Sequence, residues 1–245
     1  STNFFPKYAS FAKEAVEEKI NMTTSNAFDY LLSRCANVDE VKEEAKKILL
    51  VEKIGEETSS SNHFFFMDAQ GEKVVLEPND GNLLAYENPY GVLTNAPEFP
   101  WHVTNLKNYI HLKPENTLES KFNDITVTKH GEGTGMLGIP GDFTPTSRFI
   151  RGAYFVSVTD KNLPRDLAIL QGFRILSQFD IPKGSVIDTI ENHSDETLYT
   201  SIMDSNKKTY TIKYQNHINL QSYSLKDYEN QKDILFIELK KSMNL

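Results

Sequence analysis

An α+β fold built as a layered sandwich follows from three features of the sequence. Apolar runs with helical spacing and runs with strand spacing arrive in blocks (helices, strands, helices, strands) and not in βα alternation. Short turn segments such as Asp68-Ala-Gln-Gly71, Asn79-Asp-Gly81 and Asn88-Pro-Tyr-Gly91 punctuate the first strand block, the mark of antiparallel hairpins. No internal repeat or low-complexity linker divides the 245 residues, a length that supports one substantial core, so a single domain over residues 1–245 is expected.

Taken in order, residues 3–11 begin without a start signal and read as the end of a strand. Ser25 or Thr24 caps a helix with Phe28, Leu31, Leu32 and Cys35 on one face. Asn37 with Glu40 forms a capping-box pattern for a second helix, with Val38, Val41, Ala45, Ile48 and Leu49 inward. Strands are expected over His63–Met67, Lys73–Glu77, Leu83–Glu87 and Val92–Thr94, then a short helix over Trp101–Tyr109. A long connection from His111 to Asp142 precedes two helices, 145–158 and 164–179, the second carrying Leu167, Leu170, Phe173 and Leu176. Connections of that length are usually functional or disordered. Strands return over Thr197–Met203, Thr209–Tyr214, Ile218–Tyr223 and Asp233–Leu239, the first pair joined by the turn residues Asp204-Ser-Asn-Lys207.

Composition narrows the function. Hydrophobic residues make up 39% and charged residues 24%, ordinary for a globular protein, and a net charge of −8 gives no electrostatic support for a nucleic-acid partner. No apolar run approaches the roughly 18–20 residues of a membrane span. The one cysteine, Cys35, excludes an internal disulfide and a Cys-based metal site and fits a cytoplasmic protein.

The stretch Gly131–Arg151 stands out. Its glycines and prolines end in a helix start, with Thr144 as N-cap and Pro145 as the first helical residue. Arg148 then falls in the first turn, where the helix dipole disfavours a cation by about 0.3–1 kcal/mol; the choice makes sense if an anion or a developing negative charge faces it. Gly131-x-Gly133-x-Gly135 does not complete a dinucleotide fingerprint, because Met136 holds the last position and no βαβ unit surrounds it. The six histidines show no i, i+4 pair, so neither a metal nor another cofactor is expected, and no G-x-S-x-G elbow occurs. Cys35 reads as a small buried hydrophobe. Asn95, before a proline-bounded turn, has two readings: its amide donates to an oxyanion, or it closes an Asx-turn on its own backbone.

Two longer motifs carry a resemblance. Val92-Leu-Thr-Asn-Ala-Pro97 with Trp101-His-x-Thr-Asn-Leu-x-Asn-Tyr109, and Gly138-Ile-Pro-Gly-Asp-Phe-Thr-Pro-Thr-Ser-Arg-Phe-Ile-Arg151, closely resemble the choloylglycine hydrolase family, which contains conjugated bile salt hydrolases and penicillin V acylases. The resemblance covers essentially the whole chain. It implies an N-terminal nucleophile hydrolase with an αββα four-layer sandwich, commonly a homotetramer, acting on a small-molecule acyl amide. In that family an N-terminal cysteine attacks the amide, its own α-amino group serves as base, and water hydrolyses the thioester. Asn95 matches the family's oxyanion asparagine and Arg148 its active-site arginine.

The same resemblance places the start of this sequence after the segment that carries the nucleophile. Phe5-Pro6-Lys7-Tyr8-Ala9 resembles an internal family segment, so Ser1 does not stand in, and Cys35 falls in the helical hairpin. The chain is therefore expected to be the C-terminal portion of the enzyme, inactive alone and prone to self-association through sheet edges left bare. Family members distinguish substrates near this N-terminus, which makes Asn3 and Phe4 candidate substrate-binding residues, although neither the bile salt nor the penicillin pattern is met. A non-catalytic acyl-amide binder or oligomeric scaffold is the competing expectation.

Overall fold

The computed structural model describes residues 1–190, 192–215, 219–233 and 235–237, which gather into two compact units, Ser1–Thr159 and Asp160–Leu245. The first opens with strands β1 (Thr2–Phe4) and β2 (Ile20–Met22) and helices α1 (Thr24–Arg34) and α2 (Val38–Ala45). Strand β3 (Ile48–Leu50), the short β4 (Lys53–Ile54) and β5 (Glu57–Thr58), and the meander β6 (Asn62–Met67), β7 (Lys73–Asn79) and β8 (Asn82–Glu87) follow. Helix α3 (Phe99–Leu106), a hairpin of β9 (Glu119–Phe122) and β10 (Ile125–Thr128), and helix α4 (Pro145–Val158) complete the unit.

Its main sheet is antiparallel in the order β1-β6-β7-β8, and strand alternation sorts its residues onto two faces. Phe64, Phe66, Val74 and Leu76 face α1 and α2, joining Ala27, Leu31, Val38, Val41 and Ala45 in one buried cluster. Phe65 and Val75 face the other way, toward Phe99 of α3 and Phe149 and Ala153 of α4. Both faces are covered, and each fully buried Phe, Leu or Val contributes about 1.5–3 kcal/mol. The capping box holds as expected: the Asn37 side chain accepts from Glu40 N at 2.9 Å while Glu40 Oε2 accepts from Ala36 N at 2.8 Å.

Four local expectations are corrected. Helix α1 starts after Thr23, not at Thr24 or Ser25; the buried Thr23 hydroxyl bonds Glu57 and does not cap, while Ser59 Oγ accepts from Thr24 N at 3.1 Å. Ile48 and Leu49 do not continue α2. They begin β3, parallel to β2, because Ile48, Leu49, Leu50 and Val51 are all buried and a continuous apolar run suits a strand covered on both sides. Val92–Thr94 forms no strand, since side chains capture its carbonyls. Leu32 is 60% exposed, outside the apolar stripe of α1. The connection from His111 to Asp142 contains the β9/β10 hairpin, every residue of which is exposed.

The second unit holds α5 (Arg165–Leu176), the small hairpin β11 (Val186–Asp188) and β12 (His193–Asp195), and an antiparallel sheet β13 (Tyr199–Asp204), β14 (Thr209–Tyr214), β15 (Gln221–Ser224). Phe173 is buried, while Leu167 and Leu170 stay about half exposed, so the expected inward stripe is narrower. Gly172 lets α5 approach the sheet: a Cβ there would meet Ile202 Cδ1 at 2.8 Å. Residue 218 of the strand expected over 218–223, and residues 234, 238 and 239 of that over 233–239, lie outside the described residues; residues 235–237 form no strand.

Candidate active site

The four residues singled out in the sequence meet beyond the α3 and α4 face of the main sheet. Asn3 and Phe4 come from β1, Asn95 from the irregular segment before α3, and Arg148 from the first turn of α4. Thr144 caps α4 as expected, its hydroxyl accepting from Ser147 N at 3.4 Å, and Pro145 occupies the first turn. Asp142 anchors the cap, accepting from Thr144 N at 2.9 Å and from Ser147 Oγ at 2.7 Å. These bonds, the Thr144 hydroxyl's first, hold its carboxyl down at about 2.

Arg148 carries its charge into a half-buried position. Its Nε donates to Phe143 O at 2.9 Å and its Nη2 to Asn95 Oδ1 at 2.7 Å. Both acceptors are neutral, and no carboxylate among the described residues neutralises the guanidinium. Burial, then the neighbouring Arg151, lowers its proton affinity from the usual arginine value. Asn95 is thereby oriented without ambiguity. A guanidinium can face only the amide oxygen, and the Phe4 carbonyl, 2.7 Å from Nδ2, can accept only from the nitrogen. One N–H of Asn95 therefore meets Phe4 O, and the second has no partner among the described residues. The open choice at Asn95 resolves away from an Asx-turn, because both ends of its amide bond groups distant in sequence.

The backbone behind Asn95 is held as firmly as its side chain. Asn3 Nδ2 donates to Leu93 O at 3.1 Å and Thr94 O at 2.8 Å. His63, paired opposite Asn3 in the sheet, reaches the same Thr94 oxygen through Nε2 at 2.9 Å. His102 Nε2 lies 2.9 Å from Asn95 O, and Thr94 Oγ1 donates to Pro145 O at 3.0 Å. Behind His63, Glu77 Oε1 meets Nδ1 at 3.1 Å and accepts from Phe99 N at 2.8 Å. His63, Glu77 and His102 were not legible as site residues from spacing. The available signal was Glu77 itself, a carboxylate within the buried run Val74-Val75-Leu76 of β7.

The remaining candidates fall elsewhere. Cys35 ends α1 and packs against the cluster on the opposite face of the sheet. Burial first, then Glu44 and Glu40, raises its thiol above the ordinary value, which keeps it protonated and unreactive. Phe4 joins the site through its carbonyl; its ring is 59% exposed and, by strand alternation, turned to the face opposite Asn3 and His63. Among the described residues no cluster of three or more His, Cys, Asp or Glu can hold a metal ion, and no helix is long and apolar enough to cross a membrane.

Comparison with known proteins identifies the family and the fold. A family model described as linear amide C–N hydrolases, choloylglycine hydrolase family, matches residues 1–235. The chain is 36% identical over 242 residues to a bile salt hydrolase/transferase of Clostridium perfringens, covering 94% of this chain and 73% of that protein. It superposes on the crystal structure of a variant conjugated bile acid hydrolase from Clostridium perfringens with a TM-score of 0.90 at 32% identity, covering 100% of this chain and 75% of that one. A penicillin V acylase from Agrobacterium tumefaciens shares the fold at a TM-score of 0.68 and 18% identity, over 89% of this chain and 60% of that one. The chain belongs to the choloylglycine hydrolase family and has the N-terminal nucleophile hydrolase fold of its relatives.

Proposed function

We propose that residues 1–245 supply the oxyanion-stabilising and substrate-facing part of an amidase that cleaves a conjugated bile salt, penicillin V or a related acyl amide. One observation carries this reading: Arg148, which no carboxylate among the described residues neutralises, grips the oxygen of Asn95 at 2.7 Å, and one amide N–H of Asn95 has no partner among those residues. When a thiolate attacks an amide carbonyl, the oxygen gains a full negative charge, and a fixed N–H backed by a cation stabilises it most. The amine then leaves, and water hydrolyses the thioester. Removing one such donor typically costs about 10²–10³ in kcat.

The nucleophile is proposed to be an N-terminal cysteine outside residues 1–245, because Cys35 packs, only partly buried, on the other face of the sheet. Asn3 and Phe4 are proposed to face the substrate. Both amide N–H groups of Asn3 are spent on Leu93 and Thr94, so its Oδ1 is the atom offered, while Phe4 contributes the carbonyl that holds Asn95. The continuous family match over residues 1–235 supports one functional domain, and the lone thiol is compatible with the cytoplasm, where we place the protein. A homo-oligomer is proposed as well, as the family resemblance implies. A monodisperse monomer by light scattering would overturn that point.

The test measures amine release from glycine- and taurine-conjugated bile salts and from penicillin V. Residues 1–245 are expected to show no turnover alone and to gain it when the family's N-terminal segment is added. Turnover by residues 1–245 alone would refute the nucleophile assignment. Binding without turnover, even with that segment present, would favour the second reading, a non-catalytic acyl-amide binder or oligomeric scaffold.

A further inference from the structure

Two buried histidines have no part in the chemistry described so far, yet both reach the backbone on either side of the Thr94–Asn95 peptide. We propose that His63 and His102 are positioning residues that aim the Asn95 amide by donating Nε2–H to the successive carbonyls of Thr94 and Asn95. The inference rests on the amidase reading for the purpose of that amide, and on geometry alone for how it is held.

The hydrogen-bond inventory fixes the proton positions. A carbonyl oxygen only accepts, so Nε2 of each ring carries a proton. The Nδ1 of His63 faces Glu77 Oε1, a second acceptor, at 3.1 Å. Phe99 N–H at the start of α3 donates to the same oxygen, so Glu77 Oε1 ties His63 to the first residue of that helix. His63 and His102 are 0% exposed and Glu77 is 3% exposed, so solvent supplies no alternative partner. His102 carries a single proton: burial, foremost, lowers its affinity for a second one.

Each ring is also locked in plane. Phe5 stacks on His63 with centroids 4.3 Å apart and 10° between planes, and Phe149 stacks on His102 at 4.8 Å and 19°. Phe149 directly follows Arg148 in α4, and Phe5 directly follows Phe4, whose carbonyl accepts from Asn95. The two stacks thus tie both partners of the Asn95 amide to the histidines that hold its backbone. A buried ion pair is rarely the most stable filling for such a site, whereas two directional donors on consecutive carbonyls define one orientation of the peptide and of the side chain it bears.

The experiment reads the Asn95 side chain and not turnover, so it survives failure of the amidase reading and can itself fail while that reading stands. In 15N-labelled residues 1–245, ring spectra are expected to show Nε2 protonated on both His63 and His102. An unprotonated Nε2 on either ring would overturn the proposal without any variant. His63→Leu and His102→Leu are expected to shift the Asn95 Nδ2H2 pair and remove its exchange protection, and His63→Gln and His102→Gln, which restore an N–H donor, to recover part of both. An unchanged Asn95 pair in a folded Leu variant, or no difference between Leu and Gln, would refute positioning. If a Leu variant does not fold, the wild-type ring spectra and the Gln variants decide.

Discussion

Two irregular segments of the first unit, residues 92–98 and the connection from His111 to Asp142, look alike in composition and behave differently. Both are rich in turn residues and neither is a regular element throughout. In the first, the carbonyls of Leu93, Thr94 and Asn95 are held by Asn3, His63 and His102, all from regular elements behind them. In the second, the β9/β10 hairpin stands wholly in solvent. The connection is tied down chiefly at its ends: Asn116 Oδ1 accepts from Gly133 N at 2.7 Å, and Arg151 Nη1 donates to Pro140 O and Asp142 O at 2.6 and 2.7 Å. A loop is fixed by the buried donors packed against it, and the catalytic candidate Asn95 sits on the fixed one.

The contrast can be broken at its strongest point. Glu77→Ala removes the partner of His63 and the acceptor of Phe99 N–H, leaving both buried groups unpaired. It is expected to cost about 3–5 kcal/mol, measured as a lower urea midpoint at an unchanged slope. A loss under about 1 kcal/mol, well below the range for a broken buried pair, would show that the pair does not anchor the segment. In the connection the expected losses are smaller and uneven. Gly135 is its one buried backbone point: a Cβ there would run into the carbonyl oxygens of Glu115 and Lys113. Gly135→Ala is expected to cost about 1–3 kcal/mol through overpacking. Val127→Thr on the exposed hairpin should stay within about 0.5 kcal/mol. Equal losses in the two connection variants would show that the hairpin is held as tightly as Gly135.

Much of the frame was legible. Thr144 and Pro145 starting α4, the Asn37–Glu40 capping box, and the hairpin turns between β6, β7 and β8 are local signals, each settled within a few residues. Arg148 was legible as an anomaly, a cation at the wrong end of a helix. The misreadings share a cause. Ile48 and Leu49 fit a helical stripe until β2 supplies a parallel partner, and Val92–Thr94 fits a strand until side chains take its carbonyls.

The sequence by itself determined the α+β class, most element starts and the family, through two long motifs around Asn95 and Arg148. Tertiary structure decided what Asn95 does. Its amide bonds Phe4 and Arg148, 91 and 53 residues away along the chain, and the carbonyl before it bonds His63, 31 residues away. Capping and turn formation act over a few residues and leave their mark in sequence. Hydrogen bonds between distant elements exist only after the sheet and helices have packed, so no local pattern shows which buried polar residue will meet which carbonyl.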